Sequence, residues 1–299
     1  MNLVEAMRAF AAVYETGSFT RAAEKLGTSK TLVSKKVQSL ENRLGSRLFN
    51  RTTRSLSPTE AGQLYRSRCV QVLDDLDELE DLILNQSEDP RGRLYVSAPT
   101  TFGELYIAQL VPEFQLRYPN ISLDLSLTDR HVHLVDEGFD VAIRIADLPS
   151  SGLIARKLAP APIHLCATPE YLEQFGRPEH PHELENHQCI IDTNFRNSKV
   201  WLFKDGGNQF QISVDGNLLV NSARAVRDYV LAGCGIALCP GYMVSGDISS
   251  GRLETILADF NAFDINAYAI YNSKRNMSPK VRVFVDYLTE QLQPIGKTW

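Results

Sequence analysis

Nine basic side chains crowd residues 21–54 (Arg21, Lys25, Lys30, Lys35, Lys36, Arg43, Arg47, Arg51 and Arg54) against two acidic ones, Glu24 and Glu41. Nine less two leaves +7, so with −5 for the whole chain the remainder carries −12. The chemistry such a segment serves is neutralisation of phosphate, and an acidic body confines that contact to one end of the chain. Polar side chains are interleaved at helical spacing: Thr28, Thr31, Lys35, Gln38 and Asn42 fall on one stripe, and Ser34 flanks it. Hydroxyl, amide and ammonium groups of this kind exchange hydrogen bonds with base edges in a major groove. Lys30, in the first helical turn, opposes the helix dipole and asks for an anion there, a need that backbone phosphate meets.

The elements that hold these residues follow from apolar periodicity. Residues 3–14 carry Leu3, Met7, Phe10, Ala11 and Val13 at helical spacing, and Thr16-Gly17 ends the pattern. Ser18 caps a short second helix whose inner face is Phe19, Ala22, Ala23 and Leu26, closed by Gly27. A third helix runs from Thr28 or Ser29 to Leu44, with Val33, Val37, Leu40 and Leu44 as its inner stripe and Gly45 just beyond. This is helix-turn-helix spacing, in which the last helix enters the major groove. The stretch 48–56 has hairpin length and reads as a wing: Leu48, Phe49 and Leu56 anchor it, while Arg51, Thr53 and Arg54 reach DNA.

Ser57-Pro58-Thr59-Glu60 then predicts a helix start, with Ser57 as cap and Pro58 at the first helical position. Tyr65, Cys69, Val72, Leu76, Leu79 and Ile83 advance by alternating fours and threes, a heptad seam that needs a partner helix. The same helix of a second copy gives a homodimer or homotetramer suited to a palindromic operator in double-stranded DNA. The competing partner is the chain's own C-terminal domain. The acidic run from Asp74 to Asp81 reads as the solvated outer face.

After a break at residues 89–92, strands and helices alternate. Strands are expected at 94–98, 121–128 and 141–145 with a helix over 99–117; a second set begins with a strand at 163–167 and includes a helix at 222–232 and a strand at 236–239. The pattern at 265–271 and 279–292 returns to the first lobe. That rhythm points to βαβ units around largely parallel sheets, whose ligands sit beyond the strand carboxyl ends. Pro99, Thr100 and Thr101 form one such junction; Thr128 and Asp129 end a second strand, Arg144 a third, and Thr168 and Asn221 open onto the cleft from the other lobe. Thr100 and Thr101 offer hydroxyls beside free helix amides, which suits a small carboxylate, aromatic or not. Phe102, Phe195 and Trp201 are candidates for an aromatic wall. Each has an ordinary structural reading as well, as a satisfied cap or a core aromatic, and Arg144 has Asp140 and Asp147 as alternative partners.

Enzyme constellations are missing: there is no P-loop, dinucleotide glycine fingerprint, H-E-x-x-H or G-x-S-x-G. No cofactor and no metal is implied; His180, His182, His187 and Cys189 sit among Pro178, Pro181 and Glu183 in what reads as a surface loop. The five cysteines, an odd number without a C-x-x-C pair, read as reduced thiols. A redox sensor built on Cys234 and Cys239 is one alternative, although an extended strand holds the two too far apart for a direct disulfide. An enzyme with an accessory DNA-binding module is a more distant one. No apolar run is long enough for a bilayer, and residues 1–10 include Glu5 and Arg8 rather than a secretion signal, so a cytoplasmic location without membrane contact is expected.

Gly17-Ser18-Phe19-Thr20-Arg21-Ala22-Ala23, Val33-Ser34, Leu40-Glu41, Leu44-Gly45, Leu48-Phe49-Asn50-Arg51-Thr52-Thr53-Arg54 and Thr59-Glu60-Ala61-Gly62 together resemble LysR-type transcriptional regulators. Gly138-Phe139-Asp140-Val141-Ala142-Ile143-Arg144 and Leu231-Ala232-Gly233-Cys234-Gly235-Ile236-Ala237 resemble the sensor domain of the same family, so the likeness covers nearly the whole chain. The resemblance implies a winged helix-turn-helix, a long linker helix forming a dimer interface, and a two-lobed α/β sensor of the periplasmic-binding-protein type. By position it assigns base and phosphate contacts to Lys30, Thr31, Ser34 and Lys35, with Ser29 and Gln38 on the same helix. The expected organisation is residues 1–57 for DNA, 58–89 for the linker, and 90–299 for the effector, with lobe one at 90–162 and 265–299 and lobe two at 163–264. Small-molecule effector, operator DNA, a second copy of the chain and RNA polymerase are the partners such a regulator would meet.

Overall fold

The computed structural model describes residues 2–51, 56–84, 90–146, 154–195, 197–271 and 278–299. They form two compact units, one of residues 1–93 with 135–138 and one of 94–134 with 139–299.

Unit one begins with α1 (Leu3–Thr16), α2 (Phe19–Lys25) and α3 (Lys30–Leu44), each started by local chemistry. The side chains of Asn2, Ser18 and Ser29 accept hydrogen bonds from the first-turn amides of Glu5, Arg21 and Leu32. Apolar faces then meet: Phe10 is fully buried, with the rings of Phe49 at 5.2 Å and Tyr65 at 5.3 Å. Burying one such ring contributes roughly 1.5–3 kcal/mol. Leu44 departs from the expected inner stripe and is 41% exposed, because Gly45, in the left-handed region, turns the chain away before anything covers it. A two-stranded wing follows, β1 (Phe49–Arg51) antiparallel to β2 (Leu56–Pro58). The tip, including Thr53 and Arg54, lies outside the described residues, as does the side chain of Arg51.

The long helix α4 (Glu60–Leu84) corrects two expectations. Its cap is Thr59 rather than Ser57: Thr59 Oγ1 accepts the amide of Gly62 at 3.0 Å, while Ser57 and Pro58 are paired in the wing with Asn50 and Phe49. The start of the proposed dimer seam also turns inward. Tyr65 packs on Phe10, and Cys69, buried, donates its thiol to the carbonyl of Met7, with Leu73 beside it although it is off the seam. Tyr65 and Cys69 therefore belong to the core of their own unit. Val72 is 45% exposed and Leu76 half-buried; the side chains of Leu79 and Ile83 lie outside the description.

Unit two opens with β3 (Gly92–Ala98), which shares its start with unit one, then α5 (Thr100–Phe102), a π-helical turn (Gly103–Ile107) and α6 (Ala108–Arg117). There follow β4 (Ile121–Leu127), α7 (Leu134–Glu137), which after Leu134 belongs to unit one, β5 (Val141–Ala146), β6 (Ile154–Pro160), β7 (Ile163–Ala167) and α8 (Pro169–Phe175). Next come β8 (Cys189–Asp192), the hairpin of β9 (Val200–Asp205) and β10 (Asn208–Ser213), then β11 (Leu218–Val220) and α9 (Ala223–Leu231). The chain ends with β12 (Ile236–Pro240), α10 (Gly241–Ser249), β13 (Glu254–Thr255), β14 (Asn266–Tyr271) and α11 (Pro279–Gly296).

Two five-stranded sheets result, ordered β4-β3-β5-β14-β6 in lobe one and β11-β8-β12-β7-β13 in lobe two. Neither is largely parallel as expected. β14 runs antiparallel to β5 and β6, and β7 antiparallel to β12 and β13, because each is the strand on which the chain crosses between lobes. Leu94, Val96, Phe102, Phe114, Ile143 and Phe284 anchor the core of lobe one, and Leu165, Trp201, Phe203 and Ile236 that of lobe two.

Candidate nucleic-acid interface and ligand cleft

On α3 the buried residues Val33, Val37 and Leu40 lie on one side, and Lys30, Thr31, Lys35, Gln38 and Asn42 are exposed on the other. Ser34 is half-buried at the edge, and Ser29 is an exposed cap. Two charges in the basic segment are paired with acids of α1: Lys25 with Glu15 at 2.7 Å and Lys36 with Glu5 at 2.9 Å.

Glu41, read from sequence only as a negative charge, is a positioning residue. Its Oε1 accepts the amides of Leu48 at 2.8 Å and Phe49 at 3.3 Å, so the recognition helix holds the first wing strand by its backbone. Thr59 holds the other side, donating its hydroxyl to the carbonyl of Arg47 at 2.6 Å. Gly62 lets α4 approach: a Cβ there would stand 2.1 Å from the carbonyl oxygen of Leu48. The Leu-Phe and Thr-x-x-Gly signatures thus set the wing relative to α3, and an open groove lined by Gln38, Asn42, Ser46 and Arg47 runs beside it.

In unit two the strand ends expected to line a cleft divide into two kinds. Several residues serve the fold. Phe102 is fully buried among the rings of Tyr106, Tyr242 and Trp299, so it is core and not a cleft wall. Trp201, 4% exposed, donates its indole N–H to the carbonyl of Ser198 and packs in lobe two; it too is core. Phe195 packs at 6.3 Å from Phe263. Thr168 caps α8, its buried hydroxyl oxygen accepting the amide of Tyr171. Arg144 turns back on its own sheet, donating to Ser97 Oγ at 3.1 Å and the carbonyl of Ile143 at 2.6 Å. Asp140 instead pairs with Lys280, and Asp147 lies outside the described residues.

The second kind stays at the strand ends. Pro99 and Thr100 are half-buried, Thr101 is buried in the first helical turn, Thr128 accepts the amide of Arg130, and Asn221 is exposed before the Ser222 cap of α9. Asp129 accepts the amide of Thr100 at 3.0 Å, so the first free amide of α5, the one a ligand carboxylate was expected to take, is already filled by a protein carboxylate. Two residues that sequence reading missed stand here as well. Asp192, at the end of β8, is 7% exposed and accepts the amide of Asn194; burial, reinforced by the charge of Asp129, pushes its carboxyl up to about 6. Tyr242, at the start of α10, is 8% exposed. The available signal was an acid closing the apolar run Cys189-Ile190-Ile191 at a strand carboxyl end.

The histidines do structural work. His180 accepts the amide of His182, Glu183 accepts that of His180, the two imidazoles stack with Phe210, and His187 bonds the hydroxyl of Tyr171 at 3.3 Å. No group of His, Cys, Asp and Glu side chains that could hold a metal occurs among the described residues. Cys239 is buried against Cys166, and this contact and burial push its thiol well above the ordinary range. Cys234 is exposed. The two thiols of the redox reading thus differ in accessibility. A thiol reagent such as DTNB should label Cys234 alone in the folded chain, and Cys69, Cys166, Cys189 and Cys239 only on unfolding; a second fast equivalent would contradict this placement.

A winged helix-turn-helix head joined to a two-lobed α/β binding domain defines the class, and comparison with known proteins gives the family. Residues 4–63 match the bacterial regulatory helix-turn-helix proteins of the lysR family, and residues 87–293 match the LysR substrate binding domain. An HTH-type transcriptional regulator of Xanthomonas campestris pv. campestris is 37% identical over 287 residues, covering 95% of this chain and 83% of that relative. The solved structure of CrgA, a LysR-type transcriptional regulator from Neisseria meningitidis, is 35% identical with a TM-score of 0.60, covering 96% of this chain and 98% of that one. The full-length structure of AphB, a Vibrio cholerae virulence activator, is 28% identical with a TM-score of 0.60, covering 97% and 99%. The chain belongs to the LysR family of transcriptional regulators.

Proposed function

We propose that this chain binds an operator in double-stranded DNA as a homo-oligomer, and that a small molecule held between the lobes of unit two controls that binding. The carrying observation is the two-sidedness of α3, which buries Val33, Val37 and Leu40 and offers Lys30, Thr31, Lys35 and Gln38 to solvent beside a wing fixed by Glu41. Ser29 and Ser34 border that face, and Arg51, Thr53 and Arg54, the basic and hydroxyl residues that follow in sequence, are the further DNA contacts of this reading. Exposed Val72 and half-buried Leu76 support α4 as the pairing surface, now without its first two seam residues. At a promoter, such an oligomer meets RNA polymerase. Among the described residues no helix is long and apolar enough to cross a membrane.

Lys35→Ala and Arg51→Ala test this with DNA selected from a random pool by the unaltered protein. Each should weaken binding about tenfold, with retained helical circular dichroism and, for a lost phosphate contact, a salt slope shallower by about 1. Unchanged affinity in both variants would sink the assignment.

A further inference from the structure

Several hydrogen-bond acceptors stand at the strand ends of unit two. β8 and β12 are parallel, with Cys189 beside Ile236 and Ile190 beside Ala237, so Asp192 and the segment leading to Tyr242 leave the lobe-two sheet at the same end, beyond the strand carboxyl termini. Tyr242 in turn touches lobe one. Its ring meets Phe102, the residue after Thr101, edge-on at 5.1 Å, and its carbonyl accepts the hydroxyl of Tyr106 at 3.0 Å. From lobe one, Asp129 is held on the amide of Thr100, two residues before Phe102, close enough for its charge to act on both Asp192 and Tyr242.

These groups keep unused capacity. Asp129 uses Oδ1 for the amide of Thr100 and Asp192 uses Oδ1 for that of Asn194; neither Oδ2 has a hydrogen-bond partner among the described residues. Tyr242 is 8% exposed, and its hydroxyl has no hydrogen-bond partner among the described residues either. Three arginines of unit two are engaged with other groups: Arg144 with Ser97, Arg224 with Glu104 at 3.1 Å, and Arg227 with Asp247 in a two-pronged bond of 2.5 and 2.9 Å. No described cation acts on Asp192, so a ligand carboxylate placed here would face two like charges and a helix amide already taken.

We infer that the cleft of unit two takes a ligand bearing a protonated amine or amidine, its N–H groups shared between Asp129 of lobe one, Asp192 of lobe two and the hydroxyl of Tyr242. This rests on the reading of unit two as the effector domain and replaces the small carboxylate expected from the threonines. A cation bridging the two carboxylates draws the lobes together, which couples occupancy to lobe closure.

The test is a thermal-shift and calorimetry screen of the full chain. It uses primary amines, diamines and amidines, each paired with the carboxylate of the same skeleton, benzylamine against benzoate for example. Amine-bearing compounds should raise the melting temperature by several degrees and purely anionic ones should not. Asp192→Asn and Asp129→Asn should each weaken an amine hit about tenfold or more, while Asp215→Asn, at an exposed acid paired with Lys199, should leave it unchanged. Circular dichroism of each variant checks that it folds. Stabilisation by carboxylates alone overturns this inference and leaves effector control standing. No response to either class overturns both. An amine that binds equally well to both cleft variants also overturns the inference.

Discussion

Lys280→Met should destabilise unit two by about 2–4 kcal/mol, read as a lower urea midpoint of tryptophan fluorescence, since both tryptophans, Trp201 and Trp299, lie in that unit. Lys280 is buried in the first turn of α11, where the helix dipole disfavours a cation, and its ammonium stands 3.4 Å from Asp140 Oδ2. The same oxygen accepts the amide of Tyr95 on β3, and Asp140 immediately precedes β5. One carboxylate therefore joins two strands and the last helix of lobe one. Methionine keeps most of the lysine stem but leaves Asp140 charged and without that cation; the quarter of its side chain that still meets water moderates the loss. The double variant Lys280→Met with Asp140→Asn should regain most of the stability, because asparagine keeps the acceptor for Tyr95 and removes the charge. A single variant within 0.5 kcal/mol of wild type would show the pair to be incidental.

That pair also marks where sequence is legible. The Gly-Phe-Asp signature could be quoted without knowing that Asp140 answers a lysine 140 residues away, since long-range pairing leaves no local trace. The head was readable because its determinants are local: caps at Ser18 and Ser29, inner stripes at a 3.6-residue period, and a left-handed glycine at Gly45. Where two local signals overlap, tertiary structure chose. Ser57 and Thr59 both suit a helix cap, and strand pairing of Ser57 with Asn50 leaves the role to Thr59. Tyr65 and Cys69 show a different limit. A seam at heptad spacing states that a partner exists and not which one, and here the first turns find it in Met7 and Phe10. The strand rhythm predicted two lobes, but strand direction depends on how the chain returns, so the antiparallel β7 and β14 were not foreseeable. At the strand ends, place in the fold was more legible than role. Thr100 stands at the strand end as expected, yet its amide belongs to Asp129, while the aromatic candidates Phe102 and Trp201 went to the core because hydrophobic burial outweighs display.

Asp192→Asn should make unit two more stable at pH 7.5 by about 2–3 kcal/mol, and the gain should shrink as the pH falls. The folded carboxyl titrates at about 6 against an ordinary 3.8, so the folded state binds this proton more tightly than the unfolded state does. The stabilisation that protonation brings is complete below 3.8, declines between 3.8 and about 6, and is lost above that as the buried group ionises opposite Asp129. His164 and His187, held below the ordinary imidazole range by burial, act in the opposite sense and lose stability as the pH falls, so the informative quantity is the difference between variant and wild type at each pH. Urea titrations from pH 4 to 8, followed by tryptophan fluorescence, give it directly. A difference that stays constant across that range would mean that Asp192 is not the ionising group. A carboxylate kept at a stability cost, at a strand end of lobe two, is what the proposed amine site needs, the missing charge arriving with the ligand. The variant should therefore gain stability and lose ligand response together, a combination that a merely structural aspartate would not produce.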